Sequence, residues 1–467
     1  MPGAPFRSGP APNLFSMNTT AKGPAAPVFG YRDIFMMAWP LLLSYMLEQL
    51  IGMTDVAFLG RYSEVALGAA AISTVAFVTI ETLGFGYAYG LQVFVTRRFG
   101  QDRRREIGPI VMNGTYGLML FSALLVGALV LWSMPAMRLI TSNPDVAREA
   151  GLYLYWRGFG LPLAFGCAVL RAFFVGILKT RIITLSSVVM LVTNVVLNYP
   201  LIFGFGPVPA MGISGAAIAS AVSEGVALLF LGGYVLLRIP LAEYGLDRAA
   251  RWSGALQREL IRVGGWLSLQ EVLAFGTWLY FFVCVEHIGP LALAVSNVVR
   301  QCSSALYLSI HAYGSATGAL CSNLLGRGLK EEVFPTARRG LVLCALTLAP
   351  VVLLCLAAPT AVLRLFTDIT DVLDASGTVM YMMLAGYIVG IPSMYYTYII
   401  SGVGAARPSF IAMTFGSVVY FFYIMGLTFN TKVLEWYWTS DWVFYGGVGL
   451  ALLYYMRPKR FFDSANV

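Results

Sequence analysis

Apolar residues gather into twelve runs separated by short polar segments, near 36–59, 65–96, 109–132, 150–178, 182–204, 212–237, 264–286, 291–323, 336–358, 377–404, 409–430 and 441–456. Each run is about 20 residues or longer, enough for a helix to cross the hydrocarbon layer with every backbone hydrogen bond internal. The pattern predicts an all-α integral membrane protein with twelve transmembrane helices. Glycines and prolines inside several runs fit this reading, because membrane helices accept them more readily than soluble ones do.

A repeat organises the runs. Sliding the second half back by 226 residues lays Leu325-Gly326 on Phe99-Gly100, Glu332 on Glu106, Pro335 on Pro109, Gly340 on Gly114, Gly402 on Gly176 and Arg407 on Arg181. An even number of helices per half gives both halves the same orientation. The expectation is two parallel six-helix bundles, 31–237 and 263–457, with the substrate path between them and alternating access by rocking. The stretch 238–262 mixes charge with Leu246, Trp252, Leu256 and Leu260, and reads as a linker lying along the cytoplasmic surface. Residues 1–30 are rich in Pro, Gly, Ala and Ser and lack the apolar core of a secretory signal. They read as a disordered cytoplasmic tail, and 458–467 as a second cytoplasmic tail.

Composition agrees with a membrane protein. Hydrophobic residues make up 58% and charged residues 12% of the 467 positions, and the mean hydropathy is +0.75, too apolar for a soluble chain of this length. The net charge of +8 does not point to nucleic acid, since the basic residues sit in short loops and not in one stripe. They concentrate after the even-numbered helices, for example at Arg103 to Arg105, Arg248 to Arg262 and Arg338-Arg339, whereas the other loops hold only Arg61, Arg138, Arg148, Arg364 and Lys432. By the positive-inside rule both termini face the cytoplasm, in a multi-pass protein of the plasma membrane, here the bacterial inner membrane. The six cysteines lie in or beside apolar runs with no CxxC, as small packing residues.

The chemistry is expected where charge enters the apolar runs. Glu48 and Asp55 share the first run at a spacing of seven residues, two turns on one helix face and roughly 10 Å apart. Intramembrane carboxylates are costly unless they serve a cavity, a partner or an ion, so this face is read as handling a coupling cation. Glu81, Glu224 and Glu271 lie inside other runs, and with His311 they are candidates for a proton relay. Asn194 and Asn198 share a face at i, i+4; their oxygens are hard ligands suited to Na+, and their amides can hold a carboxylate in position. Arg171 and Arg300 read as members of structural ion pairs. Trp278, Tyr280, Tyr395, Tyr396 and Tyr398 are candidates for lining a path for flat organic cations through cation–π contact, while Trp436, Tyr437 and Trp438 look like an interfacial belt.

Gly212-Ile213-Ser214-Gly215 matches the short GxSG pattern of rhomboid-like intramembrane serine proteases. A hydrolase would need a base near Ser214, and the two histidines, His287 and His311, both lie in the other half. Close helix packing explains those glycines better. There is no HExxH and no P-loop, so neither a metalloprotease nor an ATP-driven pump is indicated, and no cofactor is expected beyond H+ or Na+ as coupling ion.

Several stretches together resemble the multidrug and toxic compound extrusion (MATE) family over nearly the whole chain after the N-terminal tail. They are Gly52-Met-Thr-Asp55-Val-Ala-Phe-Leu-Gly60 with Ala66-Leu-Gly-Ala69; Arg98-Phe-Gly100; Arg171, Gly176 and Lys179-Thr-Arg181; Asn194-Val-Val-Leu-Asn198; and Gly212-Ile-Ser-Gly-Ala-Ala-Ile-Ala-Ser220. The resemblance implies two bundles in a V and a secondary antiporter that exports amphipathic organic cations in exchange for H+ or Na+. It implies that Asp55 is the cation-binding aspartate, with Asn194, Asn198 and Ser220 around it and Glu48 close by. Asn198 stands where the family often has aspartate, Ser220 where it often has threonine, and Glu48 where glutamine is common. The charge is thus expected to have moved from the fifth helix to the first. Gln270-Glu271 sits about one turn before the glutamate that some branches use in the second half. A flippase for a lipid-linked precursor is the alternative within transport, and it would want Arg171 and Arg300 exposed in a cationic cavity. A general twelve-helix facilitator fits the loop Gly100-Gln-Asp-Arg-Arg-Arg105 poorly. The expected partners are small amphipathic molecules and the bilayer, with the protein acting as a monomer.

Overall fold

The computed structural model describes residues 28–465; the tail readings of residues 1–27 and of 466–467 lie outside them. The first half comprises α1 (Tyr31–Tyr62), α2 (Glu64–Gly100), α3 (Ile107–Ile140), α4 (Pro144–Gly158), α5 (Leu161–Gly176), α6 (Arg181–Phe203) and α7 (Ile213–Arg238). The second half comprises α8 (Gly254–Glu286), α9 (Pro290–Gly326), α10 (Val333–Ala357), α11 (Pro359–Leu363), α12 (Thr370–Gly402), α13 (Ala406–Asn430), α14 (Leu434–Trp438), α15 (Ser440–Tyr455) and α16 (Pro458–Ser464).

Among the described residues nine helices are long and apolar enough to cross a membrane, and α4 with α5 make a tenth span bent by 49°. The run 150–178 is therefore one broken crossing, interrupted at Phe159-Gly160 between α4 and α5. The other two crossings are α9, whose serines, Arg300 and His311 dilute its hydropathy, and α15, which at 16 residues is short and follows the five-residue α14. That gives six crossings per half, joined as a twelve-helix V.

Local chemistry sets the boundaries. The Ser63 hydroxyl caps α2 by accepting from the Ala66 amide. Asn143 Oδ1 accepts from the amides of Asp145 and Val146 ahead of Pro144 at the first turn of α4. Gly204, with φ of +83°, ends α6 in a conformation that a side chain would strain. Ser253 caps α8 at Gly254, inside the stretch 238–262, so α8 starts earlier than the apolar run and the connection shortens to 239–253. That connection is tied to the first half. Gly108 N donates to Tyr244 O at 2.7 Å and Ser253 N donates to Asn113 Oδ1 at 2.8 Å, while Arg104 pairs with Glu243.

The halves meet tightly at the end that carries the basic loops. A Cβ on Gly90 would lie 2.8 Å from the backbone of Gly264, one on Gly86 2.4 Å from Ser268, and one on Gly100 2.3 Å from Asn323 O. Small residues let these backbones approach as membrane helices prefer. Arg97 of α2 reaches across and donates to Val403 O at 2.7 Å and Ala465 O at 2.8 Å, at the C-terminal ends of α12 and α16, where a cation complements the helix dipole.

Candidate functional site

Four side chains predicted from sequence close a ring in the first half. Asn198 Nδ2 donates to Asp55 Oδ1 at 2.6 Å and to Asn194 Oδ1 at 3.0 Å. Asn194 Nδ2 donates to Ser220 Oγ at 3.1 Å, and the Ser220 hydroxyl donates to Asp55 Oδ2 at 2.9 Å. α1, α6 and α7 supply the members, and Gly215 lets α7 approach α6 so closely that a Cβ there would lie 2.2 Å from Leu201 O. Asn194 and Asn198 are wholly buried. The ring satisfies both carboxylate oxygens with neutral donors, yet Asn198 Oδ1 is buried without a hydrogen-bond partner. One carboxylate, two amide oxygens and a hydroxyl form a hard oxygen set that suits H+ or a small cation.

Glu48 is not part of this ring. Its Oε1 accepts from Arg171 Nη1 at 2.5 Å and from Ser187 Oγ at 3.0 Å. Two turns of helix separate Glu48 from Asp55, and the arginine captured the nearer charge. Glu224, one turn beyond Ser220 on α7, accepts from Nη1 and Nη2 of Arg157, at 2.9 and 2.5 Å. Arg157 also lies 4.2 Å from the centre of the Phe77 ring. Sequence reasoning passed over Arg157, although an arginine inside the run 150–178 carried the same signal that marked Arg171. Glu81 sits within electrostatic reach of Arg157 and Glu224 and forms no hydrogen bond among the described residues.

The expected pairing of both intramembrane arginines is seen. Arg300 Nη1 lies 3.1 Å from Asp441 Oδ2, with Phe281 and Trp438 rings at 4.8 and 4.4 Å. Trp438 and Tyr437 are therefore core residues, and the belt reading holds only for the exposed Trp436. Each arginine faces a carboxylate, Arg171 with its side chain about a quarter exposed and Arg300 more deeply buried.

His311 lies where the halves meet. Its ring is stacked between Tyr45 of the first half, at 4.5 Å, and Tyr398 of the second, at 4.7 Å, and the Tyr398 and Tyr307 hydroxyls are 2.8 Å apart. Glu271 is near enough to act electrostatically on Tyr45, Tyr307 and Tyr398. Of the five aromatic residues predicted to line a path, Tyr398 alone is in this group. Tyr395 is core, its hydroxyl donating to Ala337 O at 2.9 Å, and Tyr396 packs beside it. Trp278 packs on Phe275 and Phe282, and Tyr280 on Phe421. His287 Nδ1 contacts Val283 O at 2.7 Å, and neither histidine bonds Ser214 among the described residues.

The comparisons with known proteins follow the same lines. The chain is 26% identical over 351 residues to "Probable multidrug resistance protein NorM" of Synechocystis sp., covering 73% of this chain and 74% of that one. It is 25% identical over 357 residues to the protein of the same name from Thermotoga maritima, covering 74% of each. Its fold is similar to that of a MATE crystallised in complex with MaL6, with TM-score 0.86 at 16% identity, covering 93% of this chain and 97% of that one. It is also similar to a MOP superfamily transporter from Pyrococcus furiosus, described as having a binding pocket of reverse polarity, with TM-score 0.83 at 16% identity over 92% and 96% of the two chains. The MatE family model matches residues 40–200 and 269–424, one segment in each bundle, and the chain belongs to the MATE family of membrane transporters.

Proposed function

We propose that this transporter is a secondary antiporter that exports amphipathic organic cations and drugs in exchange for H+ or Na+. The observation that carries the reading is the buried ring around Asp55, with the unpartnered Asn198 Oδ1 beside its carboxylate. The names of the NorM relatives support the substrate class, and the basic loops support an orientation with both termini in the cytoplasm of a bacterial inner membrane.

In this mechanism charge-assisted bonds from Asn198 and Ser220 to ionised Asp55 hold the ring together before the ion arrives. An arriving H+ takes one carboxylate oxygen and displaces its donor, whereas Na+ recruits the carboxylate with Asn198 Oδ1 and Ser220 Oγ. Either event loosens the grip of α1 on α6 and α7. In this reading the basic end, held shut by the α2–α8 and α2–α9 contacts, faces the cytoplasm, and changing ring occupancy biases the rocking of the bundles. Substrate is taken between the halves, where Tyr45, Tyr307, Tyr398 and Glu271 offer aromatic faces and a negative charge.

The test is ethidium efflux from proteoliposomes under an imposed Na+ gradient and, separately, an H+ gradient. Efflux should follow one gradient and be abolished in Asp55→Asn with the protein still folded. Unchanged export by that variant would overturn the mechanism.

A further inference from the structure

Asp55 and Glu224 lie within electrostatic reach of each other in the first half, and the side chain that separates their roles is Arg157. Its guanidinium is permanently charged, and its planar fork matches a carboxylate with two parallel bonds. Here it meets Glu224 in that manner, with both residues about nine-tenths buried. Three features fix it in place. It occupies the last turn of α4, just before the 49° bend. Gly160 leaves the space it fills, since a Cβ there would lie 2.8 Å from Arg157 Nη1. Phe77 covers it at 4.2 Å. Ser220 and Glu224 are one turn apart on α7, so one helix face presents a neutral hydroxyl to Asp55 and a carboxylate to Arg157. Asp55 feels the charge of Arg157 without bonding to it.

We propose that Arg157 is a specificity-determining positioning residue: as the fixed counter-ion of Glu224, it withholds that carboxylate from the coupling ion and reserves Asp55 for it. A buried carboxylate with a permanent bidentate partner has no demand for another cation, whereas Asp55 is bonded only to neutral donors. This inference rests on the reading of Asp55 as the coupling residue.

The experiment measures the half-saturating concentration of Na+, and separately of H+, for ethidium efflux in proteoliposomes of wild type, Arg157→Gln, Glu224→Gln, the double variant and Asp55→Asn. Arg157→Gln frees Glu224 as a second anionic ligand and should lower the half-saturating concentration about tenfold, whereas Glu224→Gln leaves the arginine unopposed and should raise it about tenfold. The double variant, neutral and still able to hydrogen-bond, should return to within about threefold of wild type. Glu224→Gln carries the test alone if Arg157→Gln fails to fold. Half-saturation unmoved in the folded single variants, or both moved in one direction, would overturn the assignment. A purely structural pair would change only the amount of folded protein. Normal ion-dependent efflux in Asp55→Asn would sink the coupling reading and this inference with it; a silent Asp55→Asn beside an unshifted Glu224→Gln would sink Arg157's role alone.

Discussion

Asn198 gives its amide to Asp55 at 2.6 Å and to Asn194 at 3.0 Å, while its own carbonyl oxygen stays buried and unmatched. Replacing it with aspartate would set a second carboxylate against Asp55 in place of a donor. Two such groups in contact do not both stay ionised without a proton or a cation between them. Asn198→Asp is therefore expected to make thermal stability in detergent depend on the ion, rising by several degrees with Na+ or with acid where wild type moves less. Asn198→Ala should lower stability by about 1–3 kcal/mol under all conditions, because it strips a buried carboxylate of a donor. A melting temperature in Asn198→Asp that ignores both ions would refute this.

Arg300 and Asp441 make the corresponding argument without any ion. Both side chains are close to nine-tenths buried, and aromatic rings enclose the guanidinium. Arg300→Met strands the aspartate and is expected to cost about 3–5 kcal/mol, whereas Arg300→Met with Asp441→Leu should recover most of the loss. Thermal melting of the purified variants decides it. A double variant no more stable than the single would show that the arginine has a role beyond its partner.

Much of this was legible in the sequence because the bilayer simplifies the reading. Length and hydropathy mark the crossings, and the cost of intramembrane charge marks Asp55, Glu224, Arg171 and Arg300. The i, i+4 spacing of Asn194 and Asn198 placed both on one helix face, and the family resemblance set that face against Asp55. What remained hidden was which charge meets which. Helix rotation and tilt are set by packing, so nothing in the pattern told that Glu48 would turn to Arg171, or that Asp441, at the mouth of its run, would be drawn inside by Arg300. Arg157 lay inside the run 150–178 and carried the same signal as Arg171, but the pattern did not show that Glu224 would be its partner. Cation–π potential is common to every aromatic residue and does not tell lining from core: the Tyr395 hydroxyl has a backbone partner within the core.

The stack of Tyr45, His311 and Tyr398 joins the halves through ring faces, with interplanar angles of 10° and 19°. Each stacked contact contributes about 0.5–1.5 kcal/mol beyond its buried area. His311→Ala should therefore lower stability by at least about 1–3 kcal/mol, while His311→Phe, which keeps a flat ring in the slot, should stay within about 1.5 kcal/mol of wild type. Calorimetry of both variants checks this, and equal losses would show that the imidazole matters for its nitrogens and not for its faces.

Gly90 tests whether the basic end must open for the protein to work. A Cβ at this position would meet the Cα and N of Gly264 at 2.8 Å, and backbone atoms cannot rotate aside as a side chain can. The strain is relieved only if α2 and α8 part, so Gly90→Ala is expected to favour a state opened at that end. Spin labels at Lys179 and Arg338, exposed at the basic ends of the two halves, should then report a distance longer by several ångströms in electron–electron resonance. Gly127→Ala is the control, since nothing lies within 4 Å of a Cβ there, and its distance distribution should match wild type. If Gly90→Ala leaves the distribution unchanged, the α2–α8 contact yields locally and does not hold the two bundles together.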